Sequence, residues 1–261
     1  MPALSRLLLP VLACATLLAA MSARAGAATA ADPLRGASQL VVVTTADWQA
    51  NQGQLRTYER DARGQWHATG PGWAVAIGRK GSAWGDGLQP QSDDPPHKQE
   101  GDGRSPAGIF ALGDAFGYAA RIDSALPYRQ MQADDWCMDV PTSPLYNQIV
   151  SASKVGQAAV QGSSEAMRLD LHHDGDPRYR EGFVIEHNAA GVPGRGSCIF
   201  GHLWRTPGEA TAGCTAMDPA NMQRLLAWLR PTRQPRFVLL PAAEYRRFQQ
   251  AWQLPADGAT P

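Results

Sequence analysis

Two residues in the C-terminal third have the types and the setting for covalent chemistry. Cys214 follows Gly213 inside Thr211-Ala-Gly-Cys-Thr-Ala-Met217. Small residues on both sides let the backbone turn sharply and leave a thiol and nearby amide N–H groups facing a ligand. A thiol attacks as its thiolate, and with a free pKa of about 8.5 it needs a neighbouring base or cation at neutral pH. His202 is the candidate base. It follows the β-type run Ser197-Cys-Ile-Phe200, and a loop carrying Pro207 and Gly208 lets the chain return to Cys214. Each residue also has a plain structural reading, because a single cysteine often serves as a small buried apolar side chain and a single histidine as a hydrogen-bonded core residue. A rival reading joins Cys198, His202 and Cys214, with His187 as a candidate fourth ligand, into a zinc site. The ligand types suit zinc, but the Cys-x3-His-x11-Cys spacing lacks the paired cysteines of structural zinc knuckles.

The stretch Phe183-Val-Ile-Glu-His-Asn188, then Val192-Pro-Gly-Arg-Gly-Ser-Cys-Ile-Phe-Gly-His202, then Thr211-Ala-Gly-Cys-Thr-Ala-Met217 resembles the catalytic core of the YkuD-type L,D-transpeptidase family. The likeness is to a divergent branch with Thr-Ala-Gly-Cys in place of Ser-His-Gly-Cys. It implies that His202 is the base, Cys214 the acylated nucleophile and Gly213 the glycine that shapes the oxyanion site, with the Leu203 backbone carbonyl orienting the histidine. Two positions depart from the family pattern. Ala212 stands where a histidine is usual, and Ala216 where an arginine or asparagine is usual. Lys98-Gln-Glu-Gly-Asp-Gly-Arg-Ser-Pro-Ala-Gly-Ile-Phe110 also resembles a family signature, although Pro106 and Gly108 serve equally well as turn and packing residues before a strand. Asp135-Trp-Cys-Met-Asp139 and Tyr146-Asn147 resemble this branch too, without a role that the sequence defines. The resemblance implies a single mostly β catalytic domain, sandwich- or barrel-like, with peripheral helices. The implied activity is thioester chemistry at Cys214 on peptidoglycan stem peptides, with no cofactor and no metal. Trimming by hydrolysis, as by an L,D-carboxypeptidase or endopeptidase, is the alternative on the same site, and a non-catalytic wall-binding protein is a further one.

The rest of the chain must position these groups. Its 24 basic and 24 acidic residues cancel, and no Lys/Arg run marks a nucleic-acid partner. Twenty-six glycines and 20 prolines at 18% charge point to many turns and a β-rich fold. Residues 1–25 read as a secretory signal, with Arg6, an apolar Leu7–Ala20 and Ala23-Arg24-Ala25 as cleavage site, so the protein is expected in the periplasm or cell envelope. The run continues past Cys14, which argues against a lipobox, and after its removal no stretch is long enough to span a membrane. Residues 26–38 read as a disordered lead-in, 39–241 as the catalytic domain and 242–261 as a C-terminal helix and tail. Leu40–Thr45, a hairpin around Asp61-Ala-Arg-Gly64, Trp73–Gly78, Ile109–Leu112 and Phe237–Leu240 read as strands. Asp218-Pro219 opens a helix with Met222, Leu225, Leu226 and Leu229 on one face. Residues 151–166 read as a flexible surface segment and His172-His173 as a solvated turn. Export leaves Cys137 and Cys198 either paired in a disulfide or as two buried thiols.

Overall fold

Leu40-Val-Val-Val-Thr-Thr45 lacks hydrophobic alternation, the pattern of a strand covered on both faces, and all seven residues of Gln39–Thr45 are buried. A computed structural model describes residues 32–256 and 258. The segment read as a signal peptide and residues 26–31 of the lead-in lie outside the described residues. In chain order the strands are β1 (Gln39–Thr45), β2 (Gln52–Arg60), β3 (Trp66–Ala68), β4 (Trp73–Ala76), β5 (Ser82–Trp84), β6 (Ser105–Gly117), β7 (Tyr128–Gln130), β8 (Asp135–Cys137), β9 (Ile149–Ser151), β10 (Glu165–Ala166), β11 (Glu181–Ile185), β12 (Phe200–Leu203), β13 (Thr215–Met217) and β14 (Arg236–Pro241). The helices are α1 (Ala152–Val155), α2 (Leu169–His172), α3 (Pro219–Trp228) and α4 (Ala242–Phe248).

Eight of these strands close into a barrel in the order β1-β14-β6-β11-β12-β13-β4-β2, with β2 returning to β1. Closure leaves no unpaired edge around the ring. Two neighbouring pairs, β1–β14 and β12–β13, run parallel, and the other ring contacts are antiparallel. The core is filled by Leu40, Val42, Leu55, Phe110, Phe183 and Leu239 among others, all essentially inaccessible. Helix α3 forms where expected, Asp218 accepting from the Ala220 N–H at 2.8 Å, and it packs Met222, Leu225 and Leu226 against β11 and β12. Among the described residues no helix is long and apolar enough to cross a membrane.

Two expectations need correction, on the lead-in and on residues 151–166. Leu34 and Ala37 of the lead-in are buried, and the Ser38 N–H bonds Arg233 O at 2.8 Å, so the described part of that segment is core and not a loose leader. The expected C-terminal helix is present as α4, which ends at Phe248, and Trp252 then stacks on that ring at 4.3 Å while Trp84 meets both. Residues 151–166 are structured, with α1, a 3-10 turn at Gln157–Val160 and β10, and with Ala152, Val160 and Ala166 buried. They belong to a separate small sheet, β10-β8-β9, that stands beside the barrel. His172 and His173 are exposed as expected, His172 ending α2 with its Nε2 against Ala133 O at 2.8 Å and His173 opening the turn that follows.

Candidate active site

The site is built on β12 and β13, whose parallel register pairs Gly201 with Thr215, His202 with Ala216 and Leu203 with Met217. Cys214 precedes β13 and lies two residues before the partner of His202, so the period of two puts both on one face. Gly201 is required here, because a Cβ on it would stand 2.3 Å from the Phe183 ring. His202 and Cys214 line one cleft of about 390 Å³ together with Lys98, Glu165, Arg178 and Tyr179. The expected strand at Ser197–Phe200 starts only at Phe200. Cys198 is left-handed (φ 56°), and its N–H is taken by Asn147 Oδ1 at 2.8 Å instead of by a sheet partner.

Cys214 Sγ accepts the Phe200 N–H at 3.3 Å and donates to Cys198 O at 3.4 Å. Burial pushes the thiol up to about 12, and the nearby Glu165 charge adds to that, so the resting sulfur is a thiol. His202 Nδ1 meets Leu203 O at 2.7 Å. A carbonyl only accepts, so Nδ1 carries the hydrogen and Nε2 is left as an acceptor. The carbonyl expected from Leu203 is therefore in place. Burial pushes the imidazole down to about 4, so His202 is a neutral base at neutral pH. It makes no hydrogen bond to Sγ here, an arrangement common before a substrate tightens a site. The resting pair is thiol and imidazole, not an ion pair.

The turn before Cys214 is braced from behind. Thr211 Oγ1 donates to Cys214 O at 2.7 Å, and Ser105 Oγ donates to the same oxygen at 3.1 Å while accepting the Gly78 N–H at 2.9 Å. Thr211 Oγ1 also accepts the Gly213 N–H at 3.1 Å. That bond runs against the expected use of the Gly213 N–H as an oxyanion donor, since the group is already engaged. Gly213 has a steric reason instead: a Cβ would come within 3.0 Å of Arg104 O. Ser105, read above as part of a turn-and-strand signature, thus holds the nucleophile's own carbonyl.

The small sheet walls the cleft on the other side. Cys137 of β8 and Cys198 form a disulfide, Cα–Cα 5.9 Å, so of the two readings left open the paired one holds. Cys198 is thereby lost as a metal ligand, which removes the zinc reading, and among the described residues no three His, Cys, Asp or Glu side chains converge on a metal position. Asn147 is a brace: beyond Cys198 N, its Nδ2 donates to His187 O and Asn188 O, both at 2.9 Å. The Tyr146 hydroxyl bonds Glu100 and takes the Gly196 N–H at 3.1 Å. Asp139 holds the Ser164 N–H at 3.0 Å and its hydroxyl. His187 is buried outside the cleft lining, its Nε2 on Arg195 O at 2.9 Å, and burial pushes it down to about 4.

Two functional candidates escaped the sequence. Glu165 of β10 lines the cleft and accepts the Tyr179 hydroxyl, and the Tyr179 ring stands edge-on to His202 with centroids 5.2 Å apart. Neither lies in a recognisable motif. No family model matches the chain, and neither does a curated protein or a solved structure.

Proposed function

We propose that the protein is an exported cysteine acyltransferase of the L,D-transpeptidase type, acting on peptidoglycan stem peptides in the periplasm or cell envelope. The observation that carries this reading is His202, fixed through Nδ1 by Leu203 O, in one cleft with the buried thiol of Cys214. When a peptide carbonyl enters, Nε2 takes the thiol proton and the sulfur attacks the carbonyl carbon. The C–S bond forms, and the Cys214 N–H supports the developing oxyanion. As the C–N bond breaks, His202 returns the proton to the leaving amine, and a thioester remains. The resemblance of residues 183–217 suggests the bond between diaminopimelate and a terminal D-Ala as the one cut. An amine acceptor then gives a cross-link, and water gives trimming.

Intact mass spectrometry after exposure to a carbapenem tests the proposal. One carbapenem mass is expected on the wild type and none on Cys214→Ala. A wild type that stays unmodified, or a Cys214→Ala protein that gains the same mass, removes the thioester reading.

A further inference from the structure

The charged groups around Cys214 are unequally employed. The cations of the cleft are occupied, Lys98 Nζ on Asp102 at 2.7 Å and Arg178 on Asp176 at 2.7 Å. Glu100 takes the hydroxyls of Tyr146 and Ser197, and Asp139 takes Ser164. Glu165 differs. One of its oxygens, Oε1, accepts the Tyr179 hydroxyl, and among the described residues Oε2 has no hydrogen-bond partner and the carboxyl forms no ion pair. The group faces the same cleft as the thiol, and the Asp139 and Glu100 charges act on it in one sense while the Arg178 charge, already bound to Asp176, opposes them. Desolvation of an unpaired carboxylate is costly, and a ligand cation relieves it. Burial, opposed by the Tyr179 hydrogen bond, pushes this carboxyl up to about 7, so it exchanges protons readily near neutrality.

We propose that Glu165, held by the Tyr179 hydroxyl, is the subsite that receives the ammonium of an amine acyl acceptor beside Cys214 and takes one of its protons. This rests on the thioester reading above. The carboxylate accepts a proton from R–NH3+, leaving R–NH2 and a neutral carboxyl. The freed amine attacks the thioester carbon, forming C–N. The surplus nitrogen proton passes to His202 and on to the sulfur as C–S breaks, and Glu165 later gives its proton to solvent. Products are an amide and the Cys214 thiol, so atoms and charge balance. An amine that must enter charged and react neutral gains both ionic binding and a proton acceptor from a carboxylate at the point of attack, whereas uncharged water gains only the proton acceptor. The subsite therefore favours transfer over hydrolysis.

The test has two arms, both on the full chain. In the first, glycinamide is titrated and followed by NMR, with N-acetylglycinamide, which lacks the ammonium, as control. Binding of glycinamide alone is expected, weakened at least tenfold by Glu165→Gln, severalfold by Tyr179→Phe, and partly restored by Glu165→Asp. No binding to the wild type, or equal binding to Glu165→Gln, overturns the proposal. In the second arm the acyl-enzyme partitions between glycinamide and water. The amide-to-acid ratio should fall at least tenfold in Glu165→Gln, and an unchanged ratio overturns the acceptor role. Should Glu165→Gln misfold, Tyr179→Phe carries both arms, because only a hydroxyl is lost. If the carbapenem leaves wild-type Cys214 unmodified while glycinamide binding still depends on Glu165, the thioester reading fails and the ammonium subsite stands.

Discussion

At Cys214 the decisive feature is how little of the nucleophile's surroundings is free to move. Its carbonyl carries two hydroxyl donors and its sulfur two backbone partners. Thr211→Val removes one donor from Cys214 O and strands the buried Gly213 N–H, which should cost about 1–3 kcal/mol in urea denaturation. Thr211→Ser should recover most of it, and a Thr211→Val protein as stable as wild type would show that the turn is held by other contacts. His202→Ala should slow single-turnover acylation at neutral pH by roughly 10²–10⁴-fold. Acylation at the wild-type rate would remove His202 from the base's role. These residues differ in how readable they are from sequence. Cys214 and His202 are marked as candidates by residue type and setting within one short segment, and Leu203 is named only through the resemblance of that same segment. Glu165 and Tyr179 reach the cleft, and Ser105 the back of the Cys214 turn, only through barrel closure and the docking of the small sheet, and a lone hydroxyl or carboxyl carries no local mark of that.

Among elements, the small sheet is the one that the chain could not be expected to hold by apolar packing alone. Its strands are two or three residues long, below the length at which a hairpin is stable by itself. Side chains and one covalent bond take over: Arg129 joins Asp135 at 2.6 Å and Ile149 O at 2.8 Å, Asp134 holds Ser151 and the Ser153 N–H, and the disulfide ties β8 to the residue whose carbonyl accepts the Cys214 thiol. That is why residues 151–166 read as featureless, whereas β1, the β2–β3 hairpin and α3 were legible from hydrophobic pattern and capping. The bond closes a 61-residue separation, worth roughly 4 kcal/mol as chain entropy. Alkylation of denatured, non-reduced protein should find one thiol among the described residues, that of Cys214. The double change Cys137→Ser and Cys198→Ser should lower stability by about that 4 kcal/mol and slow acylation as well, because Cys198 O loses its anchor. A double variant with wild-type stability would show that the small sheet needs no staple.

At the scale of the whole molecule, the closed barrel and the docked sheet bury three titratable groups whose effects on stability oppose one another. His187 and His202 are pushed by burial from an ordinary 6.5 down to about 4. Each contributes stability that is fully present above 6.5 and is lost as pH falls toward 4, because the unfolded chain takes up a proton that the folded protein refuses. Glu165 runs the other way. Its folded value of about 7 lies above the ordinary 4.5, so its contribution is present below 4.5 and is lost as pH rises through 7. Between pH 4.5 and 6.5 the three together leave the unfolded state with about one proton more than the folded state. From these groups stability should then rise with pH by about 1.4 kcal/mol per unit. Urea denaturation across that window separates the contributions. Glu165→Gln removes the opposing group and should make the slope about twice as steep, while His187→Gln, which leaves His202 and Glu165 to cancel, should flatten it. A Glu165→Gln slope equal to that of the wild type would mean that this carboxyl titrates alike in both states, and a His187→Gln slope equal to it would mean the same for that imidazole.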